Sequence, residues 1–167
     1  MRVLSYSYCF PSAVRPTWGV FVAQRLAAVA RRDDVDLQVC APVPRFPVLS
    51  RLRSPLPPPA ETNRDLTVYH PRWFYIPRFF KSLDGRLYTR GLSEWTADYC
   101  REHQPELLDA HFVWPDGVGV SHLARERGLP YVITVRGWIW IGMKQPQLWA
   151  QATQALREAN AIINLCE

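Results

Sequence analysis

No apolar run in this 167-residue sequence approaches the roughly 20 residues that a bilayer-spanning helix requires. The N-terminus, MRVLSYSYCF, lacks the apolar core of a secretory leader. A cytoplasmic location is expected, with peripheral contact at the inner membrane face left open. The four cysteines, Cys9, Cys40, Cys100 and Cys166, form no CxxC pair. That excludes a zinc ribbon and argues against a disulfide scaffold, leaving reduced, mostly buried thiols as the expectation. There is no GxGxxG, Walker lysine, nucleophile elbow or HExxH, nor any Cys–His metal spacing. No metal site is expected. RNP, zinc-knuckle and helix-turn-helix signatures are also missing, so nucleic acid is not expected as a partner.

What is present points to a folded domain. The chain is 48% hydrophobic and 21% charged, enough for one core and too little for two. The net charge of +5 fits either a solvated basic surface or attraction to a phosphate-rich partner.

Strand and helix patterns alternate. Strands are predicted at Val3–Tyr8, Asp36–Ala41, Leu66–His70, Leu107–Phe112, Tyr131–Val135 and Ala161–Leu165. Helices are predicted at Gly19–Arg31, Leu83–Glu102, Gly117–Arg127 and Pro146–Ala159. The Leu83–Glu102 helix is read with Leu83, Leu87, Leu92, Trp95 and Tyr99 on one face. The proline-rich stretch Pro42–Arg64 is read as one long loop. This order implies an α/β fold: a three-layer, Rossmann-like, doubly wound and mostly parallel sheet. The sequence stops soon after its last strand, so its end is expected to be a cut.

Ligands of open parallel sheets bind beyond the carboxyl ends of the strands. After the first strand, CFPSAVRPTWGVFV places Gly19 at a helix mouth, where backbone N–H groups can approach an anion. After the fourth, DAHFVWPDG holds His111, a strand-end histidine able to donate or accept, and Asp116 with Gly117 opening the next helix. Asp116 reads first as a helix N-cap. After the fifth, TVRGWIWIG presents Arg136, suited to bidentate phosphate or carboxylate binding, then Gly137, Trp138 and Trp140. The tryptophans suit sugar stacking or cover of the sheet edge. The stretch WFYIPRFFKSLDGR, Trp73 to Arg86, fits a membrane-surface contact or a core strand and helix start. Glu94 and Glu102, separated by seven residues in the amphipathic helix without glycine-rich surroundings, read as a chance pairing.

Together these segments resemble the N-terminal domain of GT-B fold glycosyltransferases of the group related to glycogen and sucrose synthases, the family 4-like enzymes. The motifs are FPSAVRPTWGVFVAQRLAAVARR, LLDAHFVWPDGVGVSHLARERGLPYVITVRG and ANAIINLCE, in the family's order and spanning nearly the whole chain. The resemblance implies an acceptor-side domain of a retaining transferase that moves a sugar from a nucleotide-sugar to a glycan or lipid-linked acceptor. It implies no cofactor beyond that co-substrate and no metal. His111 and Arg136 become the candidate catalytic residues. Gly19, Asp116, Gly117, Gly137 and Trp138 become candidate cleft- or acceptor-binding residues. Two departures stand out. Ile139 occupies a position where many relatives keep aspartate, and Cys166–Glu167 replaces serine–glutamate. The C-terminal donor domain is expected to be missing, so the chain alone is expected to be inactive, with a separate donor-domain chain as a possible partner. The alternative is a non-catalytic binding module, a degenerate paralogue or split-enzyme subunit that recruits a partner or membrane. An unrelated doubly wound hydrolase or nucleotide binder is disfavoured by the missing signatures.

Overall fold

Alternate residues of the first strand face opposite ways, and two cores form accordingly. In the computed structural model, which describes residues 1–45, 55–77, 79–137 and 145–165, β1 (Arg2–Tyr6) sends Leu4 and Tyr6 into one core and Val3 into the other. Val3 meets Val22, Ala23 and Leu26 of α1 (Val20–Ala30), together with Leu37 and Val39 of β2 (Asp36–Cys40). Leu4 and Tyr6 belong to the larger core on the other face. That core is built by α2 (Asp84–His103), α3 (Val118–Arg127) and α4 (Pro146–Glu158), through Leu92, Leu123 and Leu148 among others.

The remaining strands are β3 (Val43–Arg45), β4 (Ala60–Asn63), β5 (Leu66–Tyr69), β6 (Arg72–Phe74), β7 (Leu107–His111), β8 (Tyr131–Val135) and β9 (Ala161–Asn164). The main sheet runs β4-β5-β2-β1-β7-β8-β9, and β3 pairs separately with β6. Every neighbour in the main sheet is parallel except β4 and β5. Set aside that antiparallel edge, and the parallel strands follow the order 3-2-1-4-5-6 of the dinucleotide-binding fold. The fold is the three-layer, doubly wound α/β architecture expected from the sequence. Its switch point lies between β1 and β7, where the strand order reverses.

The stretch Pro42–Arg64 is not all loop. It contributes β3, and β4 joins β5 in a hairpin. The two turn residues, Arg64 and Asp65, have φ of 51° and 65°, the left-handed pair that a tight hairpin turn demands. Arg-Asp is a poor sequence signal for such a turn, which is usually Asn-Gly. The aromatic stretch from Trp73 also contains a strand, β6. A single 3-10 turn (Lys81–Leu83) then leads into α2.

The buried face of α2 is rotated from the predicted stripe. Tyr88, Leu92, Thr96 and Tyr99 are buried, whereas Leu83 is exposed and Leu87 and Trp95 are only partly covered. Polar anchors set this rotation: the Tyr88 hydroxyl donates to Asp116, and the Thr96 and Tyr6 hydroxyls share a hydrogen bond of 2.9 Å. Close helix approach follows. A Cβ at Gly119 of α3 would stand 2.2 Å from the Tyr88 ring. Helix α3 stops at Gly128, as predicted, in a left-handed cap with φ 64°. Cys9, Cys40 and Cys100 are free thiols, the first two buried; Cys166 lies outside the described residues.

Candidate active site at the switch point

Three chain segments leave the sheet at its carboxyl edge around the switch point. After β1 the chain is pinned at once: Ser7 N–H donates to the Cys40 carbonyl, and Tyr8 N–H donates to both Asp116 carboxyl oxygens at 3.1 and 3.2 Å. It then turns at Ser12–Arg15 and reaches Gly19. Gly19 is buried, with φ 73° and ψ 24°, and its carbonyl starts α1 by accepting from Val22 and Ala23. A Cβ here would lie 2.1 Å from the Cys9 carbonyl oxygen. Only glycine permits this approach. The turn directs the amino end of α1, the positive end of its dipole, toward the strand edge.

His111 ends β7 and is 1% exposed. Its Nδ1 accepts a hydrogen bond from Arg136 Nε at 3.3 Å. A guanidinium can only donate, so the ring hydrogen sits on Nε2. That nitrogen is 3.0 Å from Asp109 Oδ2, so the neutral ring's N–H edge lies against the carboxylate, though misaligned for a hydrogen bond. Asp109 also accepts from Ser5 Oγ at 2.7 Å. Burial alone would raise the Asp109 carboxyl, yet His111 and Ser5 outweigh it and hold the group below its ordinary range. The result is a relay running from Ser5 through Asp109 and His111 to Arg136, drawn from β1, β7 and the end of β8. It fixes the imidazole's tautomer and the position of the guanidinium.

Arg136 lies over the Phe21 ring, 5.1 Å from its centroid, in the first turn of α1. Burial, then the nearby Arg25 charge, pushes its guanidinium down from the ordinary value. Beyond the Nε contact, its terminal nitrogens have no hydrogen bond among the described residues. Cationic charge beside a helix amino end is an arrangement suited to an anion.

Phe112 follows His111 with φ 80° and ψ 141°, a strained conformation for a bulky residue that costs about 1–3 kcal/mol. Its N–H is held by the Thr134 carbonyl, and its ring packs on Tyr8 and Phe21. Nothing in the sequence marks this position, since glycine is the usual bearer of such angles.

Asp116 and Gly117 sit beneath this edge, inside a π turn (Val113–Gly117), and both are buried. Asp116 makes no side-chain cap to α3. It accepts from Tyr8 N–H and, at 2.8 Å, from the Tyr88 hydroxyl, and burial raises its carboxyl to about 8. It braces the first loop against α2. Gly117 fits because a Cβ would press on the Phe112 carbonyl and Ile133, each at 3.1 Å. Gly137 has φ 55°, is exposed and has open space around it. Trp138, Ile139 and Trp140 lie outside the described residues. Among the described residues there is no cluster of metal-ligating side chains.

The family model described as a glycosyl transferase 4-like domain matches residues 19–167. The chain belongs to the glycosyl transferase 4-like domain family. A Bacillus subtilis (strain 168) protein, whose name assigns it to teichuronic acid biosynthesis as the glycosyltransferase TuaC, is 23% identical over 155 residues. The match takes in 82% of this chain and 36% of that protein. The fold likeness is wider. The UDP-GlcNAc 2-epimerase of Neisseria meningitidis superposes with a TM-score of 0.53 at 13% identity, over 95% of this chain and 39% of that one. Arabidopsis thaliana UGT89C1, solved with UDP, gives 0.55 at 12% identity, over 98% and 44%. The family 4-like domain is thus one half of a GT-B fold. The chain spans little more than a third of the curated relative it matches.

Proposed function

We propose that this domain is the acceptor-side wall of a retaining glycosyltransferase, one that moves a sugar from a nucleotide-sugar to a glycan or lipid-linked acceptor. The observation that carries the reading is the convergence of the α1 amino end, His111 and Arg136 on one edge of the switch point. Arg136 and the first turn of α1 would meet negative charge that develops on the leaving diphosphate; the buried His111 would hold Arg136 in place. The retaining outcome comes from the family resemblance. A second domain would supply the donor's nucleotide subsite, and a chain without one would transfer nothing. Phe79 and Phe80, at 68% and 67% exposure, would give a lipid-linked acceptor's membrane a point of contact.

The test is Arg136→Ala in a fusion that joins a family member's donor-side domain after Glu167. Loss of one oriented cationic donor is expected to cut the transfer rate about a hundredfold, with the unfolding midpoint little changed. An unaltered rate would remove Arg136 from the chemistry and the reading with it.

A further inference from the structure

An open groove of about 430 Å³ runs between α2 and α3 and shares no residue with the His111–Arg136 edge. Helix α2 contributes Arg86, Thr89, Arg90 and Ser93 to it, and α3 contributes His122 and Glu126. Helical spacing makes this lining: Arg86 and Arg90 are one turn apart, and so are His122 and Glu126. Both arginines are exposed, and neither has a hydrogen bond or ion pair among the described residues. His122 is half-buried, and its ring also lacks a hydrogen bond. Like charges one turn apart repel. Arg86 and Arg90 therefore weaken the helix that carries them unless an opposite charge lies between them.

The carboxylates that act on His122 are already taken. Glu126 Oε2 accepts from Ser93 Oγ and from Arg127 Nη1, each at 2.9 Å. Glu158 of α4 pairs with Arg125. Thr89 gives its hydroxyl hydrogen to the Gly85 carbonyl at 2.9 Å. Two guanidinium forks and one imidazole are left open. A guanidinium donates through parallel N–H bonds, a match for the oxygens of a phosphate group. His122 is held below its ordinary value, first by burial and then by Arg125; Arg86 adds to the fall, and Glu126 and Glu158 oppose it. An entering dianion would reverse that balance and favour the imidazolium, making the ring a third charged donor.

We propose that this groove binds a tetrahedral oxyanion, the phosphate of a soluble phosphomonoester or of a lipid headgroup, through Arg86, Arg90 and His122. The site stands apart from the sugar-transfer reading, because none of its residues lies at the switch point and no donor domain is needed to fill it. The test is titration of the 167-residue chain with sulfate and with inorganic phosphate, followed by the backbone amide resonances of α2 and α3. Sodium chloride at matched ionic strength is the comparison. Vesicles of phosphatidylcholine with and without phosphatidic acid separate the two sources of phosphate.

Sulfate and phosphate are expected to shift these resonances saturably, beyond any effect of chloride. Arg86→Gln and Arg90→Gln, both at exposed positions, should each weaken the binding about fivefold, the loss of one charged but solvent-screened contact. Sulfate stays a dianion throughout the range in which histidine titrates. Its binding should therefore tighten as pH falls through that range, and His122→Gln should abolish the dependence. Retention on phosphatidic acid vesicles, lost in the arginine variants, would bear the proposal out with a lipid as the source. Binding of the free anions without the vesicles would bear it out with a soluble ligand. No saturable shift, a shift that chloride reproduces, affinities unmoved by both arginine substitutions, or vesicle binding without either free anion would overturn it. A pH dependence that persists in His122→Gln would overturn the part given to His122.

Discussion

Gly19→Ala is expected to destabilise the domain by about 3 kcal/mol or more. Two costs add. The left-handed backbone, φ 73°, costs a non-glycine residue about 1–2 kcal/mol. The new methyl group would then sit 2.1 Å from the Cys9 carbonyl oxygen and 2.9 Å from Phe10 N. These are backbone atoms and cannot rotate away. Relief requires the segment between β1 and α1 to move, and Phe10 is part of the smaller core with Val22 and Leu26. The strain therefore spreads into packing. Urea denaturation monitored by far-UV circular dichroism measures the loss. A change below about 1 kcal/mol would mean the turn is not held as described, and the placement of the α1 amino end would fall with it.

The second large effect concerns Asp116. Its carboxyl is buried and raised from 3.8 to about 8 by desolvation, against the opposing pull of the Tyr88 hydroxyl and Tyr8 N–H. The folded state therefore holds a proton that the unfolded chain releases at ordinary carboxylate pH. The sign follows: the stabilisation is fully present below 3.8 and is lost as pH rises through about 8. Inside that window each pH unit removes up to about 1.4 kcal/mol. Asp84 is also raised, by burial first, and adds a contribution of the same sign. Asp116→Asn isolates the first effect. It keeps the shape and an acceptor but cannot ionise, so the fall in stability between pH 5 and pH 8 (about three units) should flatten to the small slope left by other groups. Asp116→Ala should instead cost about 2–4 kcal/mol at pH 5, because the Tyr8 N–H and Tyr88 hydroxyl are left buried without a partner. Chemical denaturation of the three proteins at both pH values decides it. A slope that persists undiminished in the asparagine variant would place the titrating group elsewhere.

The parallel sheet was legible because its strands are short runs that alternate, for the most part, with helices carrying a buried stripe. The edge was not. Ala60–Asn63 reads AETN, with no strand signature, and its turn uses Arg64 and Asp65 where glycine or asparagine would announce it. The stretch from Trp73 was legible as a core strand and helix start, one of its two readings, and it holds β6, a strand of three residues, and the start of α2. Gly19, His111 and Arg136 were legible as candidates because His111 ends a strand, Arg136 follows one directly and Gly19 opens a helix at the carboxyl edge. Their partners were not found. Asp109 is joined to Ser5 across 104 residues of sequence, and Asp116 to Tyr8 across 108. Such pairs exist only once the sheet order brings β1 beside β7. Asp116 shows the limit most clearly. Its place before a helix suggested a cap or a cleft residue, whereas its burial and its tyrosine partners make it a brace beneath the sheet's carboxyl edge.

The central claim is that this domain supplies one wall of a transferase cleft and needs a second domain to act. The most direct measurement is transfer of radiolabelled sugar from UDP- and GDP-sugars to membrane-extract acceptors, by the 167-residue chain alone and by the same chain fused to a donor-side domain. The account predicts no turnover by the chain alone and transfer by the fusion. Turnover by the chain alone would contradict it.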